Sequence, residues 1–166
     1  MVVGGPNHRT DYHIDESEEF FFQIKGDMLL KVVDGGKFRD IVIPEGHVFL
    51  LPPKIPHSPQ RFEGTVGMVI ERRRRSKEKD GVRWYCRKCH HVCYEEFFLC
   101  SDLGTQLKEV LEKYYSNELS RTCKNCGAVD DRPVAGKTLR ETLDQIPRRS
   151  AHVSGKTLRI SFLKTV

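Results

Sequence analysis

The sequence predicts a mainly-β barrel, followed by a small cysteine-rich appendage that carries one helix. Three observations predict it. Short apolar segments recur between residues 20 and 71, separated by glycine, proline and aspartate turns. Two C-x-x-C pairs stand between residues 86 and 126. Between those pairs, residues 103–116 repeat their apolar positions at offsets of three and four, the period of a helix with one buried stripe.

The elements follow in order. FFFQI (20–24), MLLKVV (28–33), DIVI (40–43), HVFLL (47–51) and VGMVIE (66–71) read as strands. Lys25-Gly26-Asp27, Asp34-Gly35-Gly36, Pro44-Glu45-Gly46 and Glu63-Gly64 read as their turns. Asp34-Gly35-Gly36 is a hairpin signal, because glycine accepts positive φ without steric cost. Strands this short and this regularly spaced close into a sandwich or barrel. YEEFFL (94–99) reads as a further strand. The helix from Leu103 to Ser116 has Asp102 as its N-cap, and its stripe of Leu103, Leu107, Val110, Leu111 and Tyr114 is expected to pack on the barrel. Thr138–Ile146 reads as a short helix and Thr157–Leu163 as a strand, in a tail expected to be flexible or loosely attached. The segment GKTLR occurs twice in that tail, too short a repeat to mark a solenoid. The expected division is a barrel over 1–79, a strand–helix segment with a metal site over 80–126 and a tail over 127–166.

Length and composition narrow the function classes. The chain of 166 residues has room for one core domain and a small appendage. At 38% hydrophobic residues and a mean hydropathy of −0.51 it reads as a globular protein in water, and no apolar run approaches a membrane span. MVVGGPNHRTDY has no charged region followed by an apolar one, so no secretory signal is read there, and the expected compartment is the cytoplasm. The net charge of +5 gathers in Arg72-Arg73-Arg74-Arg75-Ser76-Lys77. That run lacks interleaved aromatics, so it reads as a solvated strand end and loop rather than a nucleic-acid surface.

A chemical site is written into the barrel segment. His13, Glu19 and His57 make two imidazoles and one carboxylate, the set that holds Fe(II) while leaving positions open. On a strand, residues two apart share a face. Arg9, Asp11 and His13 therefore point one way, and Glu19, Phe21 and Gln23 another, with a hairpin through DESE expected to bring Glu19 beside His13.

These residues carry a resemblance. Gly5, then Asp11-Tyr12-His13, Glu19 and Gly26 resemble the first motif of the cupin superfamily, with Asp11 in place of its first histidine. Gly46, then Pro52-Pro53-Lys54 and His57 resemble the second, with Lys54 at a glycine position. More closely, GGPNHRTDYH, EEFFFQIKGDM, FLLPPKIPHSPQRF and VIERRR resemble the 3-hydroxyanthranilate 3,4-dioxygenase family over about residues 2–126. The resemblance implies a homodimeric enzyme that opens an aromatic ring with O2 at non-haem Fe(II). It implies 3-hydroxyanthranilate as substrate and 2-amino-3-carboxymuconate semialdehyde as product, on the way to quinolinate and NAD. It assigns iron to His13, Glu19 and His57, and the substrate pocket to Arg9, Arg61 and Glu71. The residue types agree with those roles. A guanidinium offers a fork to a carboxylate, and an inward carboxylate can accept a proton. Arg9 precedes His13, and Arg61 follows His57, by an even offset of four.

Cys86, Cys89, Cys123 and Cys126 can complete a tetrahedral thiolate set for zinc or iron, with His90 and His91 not needed. The set resembles the rubredoxin-like site of bacterial and fungal members of the family, and reads as structural and far from the chemistry. Cys93 and Cys100 read as ordinary buried or partly buried thiols. Two other readings stand beside the enzyme. One is a cupin-fold binding or regulatory protein with a zinc-ribbon module. The other is a truncated, inactive form, since the resemblance leads one to expect a helix and one or two strands ahead of GGPN.

Overall fold

The computed structural model describes residues 1–131 and the strand at 160–162. The helix expected at Thr138–Ile146, both GKTLR copies and the looseness expected of the tail lie outside the described residues. Two sheets face one another, antiparallel in every pair except that of the last strand, which runs parallel to its neighbour. The first has β1 (Val2–Gly4), β8 (Val66–Glu71), β3 (Glu19–Lys25), β6 (Val48–Leu51) and β11 (Ile160–Phe162) in that order across the sheet. The second has β10 (Val92–Phe98), β9 (Asp80–Tyr85), β2 (Tyr12–Ile14), β7 (His57–Gln60), β4 (Met28–Asp34) and β5 (Lys37–Ile43). The chain passes back and forth between the sheets, which makes the barrel a double-stranded β-helix of the cupin type.

Alternation along each strand decides what faces inward. In β3, Glu19, Phe21 and Gln23 are buried, and Phe20, Phe22 and Ile24 lie on the more exposed face. The core joins Phe21, Met28, Leu30, Val32, Ile43, Phe49, Leu51 and Val69 from both sheets. The expected hairpin between β4 and β5 forms with Gly35 and Gly36 at φ 54° and 75°. Lys54 also has positive φ, at 64°, so this non-glycine residue keeps the left-handed turn that its motif position calls for. Its backbone N–H donates to the Asp15 carbonyl over 2.7 Å, an anchor for that turn.

The predicted helix is present as α1 (Leu103–Ser116), with Asp102 accepting from the Gly104 N–H over 3.1 Å. A short α2 (Glu118–Arg121) follows. Strands β2, β7 and β9, and the brief β1, are shorter or more polar than the apolar-run signal detects, which is why β9 in particular went unassigned. Asp80, Val82 and Trp84 alternate onto one face of β9, and Val82 pairs directly with His13 of β2. Helix α1 closes on that row. Tyr114 stacks on Trp84 at 4.0 Å between ring centroids and 15° between planes, with Val110, Val82 and Leu107 around them. The Tyr114 hydroxyl donates to Asp130 Oδ2 over 3.0 Å.

Replacing Tyr114 by Ala removes the stack, the buried ring and that hydrogen bond. The expected loss is about 3–5 kcal/mol, the usual cost of deleting a buried aromatic. Urea unfolding checks it, and a loss below about 1 kcal/mol would mean that α1 is not part of the cooperative core.

Candidate active site and cysteine cluster

His13 and His57 are direct cross-strand partners, so their imidazoles stand side by side on the inner face of the second sheet, 5.3 Å between centroids. Glu19 faces them from the first sheet. This corrects the expected hairpin, because β2 and β3 lie in opposite sheets. The DESE segment carries the chain across the barrel end, held by Ser17, whose N–H and hydroxyl both donate to the Asp15 carboxylate over 3.0 Å. Glu19 Oε1 comes to 3.0 Å from His57 Nε2 and 3.6 Å from His13 Nδ1. The three side chains are buried, and their ligand atoms all lie within 4.8 Å of one another.

The hydrogen bonds behind the trio fix which nitrogens point inward. His57 Nδ1 donates to the Ile55 carbonyl over 2.9 Å, which leaves the Nε2 lone pair toward Glu19. His13 Nε2 donates to Asp80 Oδ2 over 2.8 Å, which leaves Nδ1 toward Glu19. Glu19 Oε1 itself is buried without a hydrogen-bond partner among the described residues. Two imidazole lone pairs and an unsatisfied carboxylate oxygen converge on one point, so these residues fit a divalent cation. In the metal-free protein a proton partly does that work. Burial opposes charge on His13, but the hydrogen bond to Asp80 and the nearby Glu19 carboxylate outweigh it and hold its pKa up to about 9. Glu19 is held far below the usual carboxylate range: burial opposes its ionisation, and His57 and His13 overcome that.

Asp80 and its partner Arg74 were not singled out by the sequence. Arg74 is the exception to the solvated reading of the arginine run. It turns inward, giving Nε to Asp80 Oδ1 and Nη2 to Asp80 Oδ2, each over 2.8 Å. Its Nη2 also lies 3.1 Å from Glu71 Oε2 and 3.3 Å from Asp15 Oδ2. Three buried or half-buried carboxylates need a cation, and the run supplies one. Arg72 likewise makes a forked pair with Glu78. The signal that could have found Asp80 was the even spacing Asp80, Val82, Trp84, once β9 is seen as a strand.

The remaining predicted residues fall around the trio. Glu71 is the cross-strand partner of Glu19. Burial raises its pKa, with Arg74 pulling the other way and Glu19 adding to the rise. Arg9 is held to Asp11 through Nε and Nη2. Arg61 is buried, and its Nη1 has no hydrogen-bond partner among the described residues. Burial, and then the like charge of Arg9, lower its pKa. Two guanidiniums near one another, one of them unsatisfied, make a place for an anion. Gly67 makes room for Arg61: a Cβ there would sit 2.5 Å from Arg61 Nη1 and 2.8 Å from Gln23 Oε1. Asn7, also missed, pins the segment by accepting from the Arg61 N–H over 2.8 Å and donating to the Pro59 carbonyl over 2.9 Å.

The four cysteines meet. Cys86 and Cys126 Sγ are 3.5 Å apart, as are Cys89 and Cys123, and all four lie within 4.8 Å. The two turns are built alike. His90 and Gly127, each following its C-x-x-C pair, have φ of 61° and 70° and donate to the carbonyls of Cys86 and Cys123 over 2.8 and 2.9 Å. A common point inside four converging thiols fits a tetrahedral ion. His90 and His91 are outside the set, and the His90 ring lies against Phe38 at 4.2 Å. Cys93 is buried, which pushes its thiol up to about 12, and half-buried Cys100 is pushed up to about 11. Helix α1 of the appendage reaches the barrel segment through the Tyr115 hydroxyl, which hydrogen-bonds Thr10, next to Arg9, over 2.7 Å.

A cupin-type barrel with two histidines and a carboxylate converging in its interior defines a class of metal-dependent enzymes. The family described as 3-hydroxyanthranilic acid dioxygenase matches residues 1–115. The chain belongs to that family. It is 55% identical over 130 residues to the 3-hydroxyanthranilate 3,4-dioxygenase of Lodderomyces elongisporus, covering 78% of this chain and 74% of that one. The enzyme of the same name from Candida albicans is also 55% identical, covering 78% and 76%. That of Xanthomonas euvesicatoria pv. vesicatoria is 50% identical over 141 residues, covering 85% and 80%. Among solved structures, the S161A mutant of Bacillus subtilis oxalate decarboxylase is 17% identical with a TM-score of 0.42, covering 89% of this chain and 36% of that one. At that distance the likeness says nothing about chemistry. No helix among the described residues is long and apolar enough to cross a membrane.

The charges set a pH profile for the metal-free protein. His13 has its pKa raised from 6.5 to about 9, so its stabilisation is complete below 6.5 and is lost as pH rises through 9. Glu19 has its pKa lowered, so its contribution is present above 4.5 and is lost on acidification. Urea midpoints of chelator-treated protein are expected to fall between pH 6.5 and pH 9, and to fall less in His13→Gln. An unchanged slope in that variant would mean that other groups carry the dependence.

Proposed function

We propose that the chain opens the ring of 3-hydroxyanthranilate with O2, at an Fe(II) held by His13, Glu19 and His57, to give 2-amino-3-carboxymuconate semialdehyde. This places it in the kynurenine route to quinolinate and NAD. The observation that carries the reading is the buried trio of donors with an unsatisfied arginine, Arg61, in the same barrel. Three protein ligands on one side leave coordination positions open on the other. Fe(II), when bound, supplies the one-electron chemistry that lets ground-state O2 react with an aromatic ring. The second ion, iron or zinc, belongs to Cys86, Cys89, Cys123 and Cys126 and is structural. The enzyme works as a homodimer in the cytoplasm, a reducing compartment that suits six cysteines without a disulfide among them.

The side chains divide the remaining work. Arg61 takes the substrate carboxylate, because its Nη1 lacks a partner and its neighbour Arg9 makes an anion welcome. Arg9, locked to Asp11, keeps its guanidinium oriented at the pocket edge. Glu71 accepts the proton of the substrate hydroxyl or amine, a role suited to a carboxyl whose pKa burial has raised.

His57→Ala is expected to lower bound metal from two ions per chain to one and to abolish O2 uptake with 3-hydroxyanthranilate. Full uptake by that variant supplied with Fe(II) would sink the assignment. Gly67→Ala tests Arg61 without touching it. The new methyl meets the ends of the buried Arg61 and Gln23 side chains rather than backbone, so the fold should survive with a lowered thermal midpoint, destabilised by the about 1–3 kcal/mol usual for overpacking. KM should rise roughly tenfold or more, the cost of one weakened charge-assisted hydrogen bond. An unchanged KM would remove Arg61 from substrate binding.

A further inference from the structure

We propose that Asp80, clamped by Arg74, is the positioning residue that makes His13 meet the metal through Nδ1, while His57 meets it through Nε2. The proposal rests on the trio being the metal site. A carboxylate has no hydrogen to give, so the 2.8 Å contact from Asp80 Oδ2 requires the hydrogen on His13 Nε2. The other nitrogen, the one toward Glu19, is then the free donor. On His57 the Ile55 carbonyl imposes the opposite choice, with the hydrogen on Nδ1 and the lone pair on Nε2. The two neighbouring imidazoles therefore present different nitrogens to one point.

Asp80 is built to hold this choice. Its side chain is fully buried, and Arg74 forks onto both of its oxygens, which fixes the carboxylate plane and compensates its charge. It opens a strand whose register with β2 is set just beyond it, Gly81 opposite Ile14 and Val82 opposite His13. Gly81 lets the Phe97 ring lie on that strand, where a Cβ would come within 2.5 Å of it. Asp80 thus hangs from a tightly covered strand rather than from a loop, which keeps a ligand's orienting partner in place. Because Arg74 also contacts Glu71, one guanidinium ties the orienting carboxylate to the proposed proton acceptor.

The test uses the full chain with its histidines labelled with 15N and its cysteine site first filled by one equivalent of Zn(II). A second equivalent of Zn(II) then loads the trio, and long-range 1H–15N correlation reads each imidazole. One ligand histidine should show the metal on Nδ1 and the hydrogen on Nε2, with His13→Gln identifying its signals, and the other the reverse. Coordination of both through Nε2 would overturn the proposal, with no variant needed. Asp80→Asn should bind the second Zn(II) about 10–100-fold more weakly, the usual effect of losing such a partner. It should change the His13 signals and leave those of His57 in place. Arg74→Gln should act in the same direction and serves if Asp80→Asn fails to fold. Unchanged affinity and unchanged His13 signals in a folded variant would overturn the positioning role while leaving the trio standing. A wild-type chain that takes no second equivalent would instead overturn the metal reading of the trio, and the positioning role with it.

Discussion

A carboxylate in the middle of a barrel is the constraint on which the rest depends. Glu19 is taken out of water between two sheets, and an isolated charge there would cost far more than the barrel could return. Its compensation comes from His13 and His57, which the register of β2 with β7 places directly opposite one another. The arrangement is therefore a matter of strand pairing. A slip of one residue in either strand would turn an imidazole out of the barrel.

The same accounting runs outward from Glu19. Asp15, Glu71 and Asp80 surround the trio and share one guanidinium, that of Arg74. Arg61 is the opposite case, a buried cation with an atom left over and another cation near it. A site that leaves both a carboxylate oxygen of Glu19 and a guanidinium nitrogen of Arg61 without partners among the described residues suits a cation beside a small anion. Those open groups, more than the presence of histidines, set this site apart from the cysteine cluster.

The cysteine cluster is built differently. Four thiols on two similar turns close on one point, and the intervening chain, 90–122, contains β10, α1 and α2. Helix α1 uses that connection to cover Trp84 and to hydrogen-bond Thr10 through Tyr115. The appendage therefore braces the strand that carries Asp80 and the segment that carries Arg9.

Much of this was legible in the chain. The alternation of Glu19, Phe21 and Gln23, the turn at Gly35-Gly36, the helix at Leu103–Ser116 and the two C-x-x-C pairs are local patterns with local causes. Donor identity was equally local, since imidazole, carboxylate and thiolate announce their chemistry by type and spacing. What escaped depends on distant partners. That β2 and β3 lie in opposite sheets, that Arg74 turns inward while its run looks solvated, and that Asp80 orients His13 across 67 positions of sequence are decided by pairing. By itself, the sequence determined which atoms were available to bind a metal and an anion. Only the tertiary structure decided which nitrogen of each imidazole faces inward and which charges are left uncompensated, because burial and hydrogen-bond competition exist only once the sheets have closed.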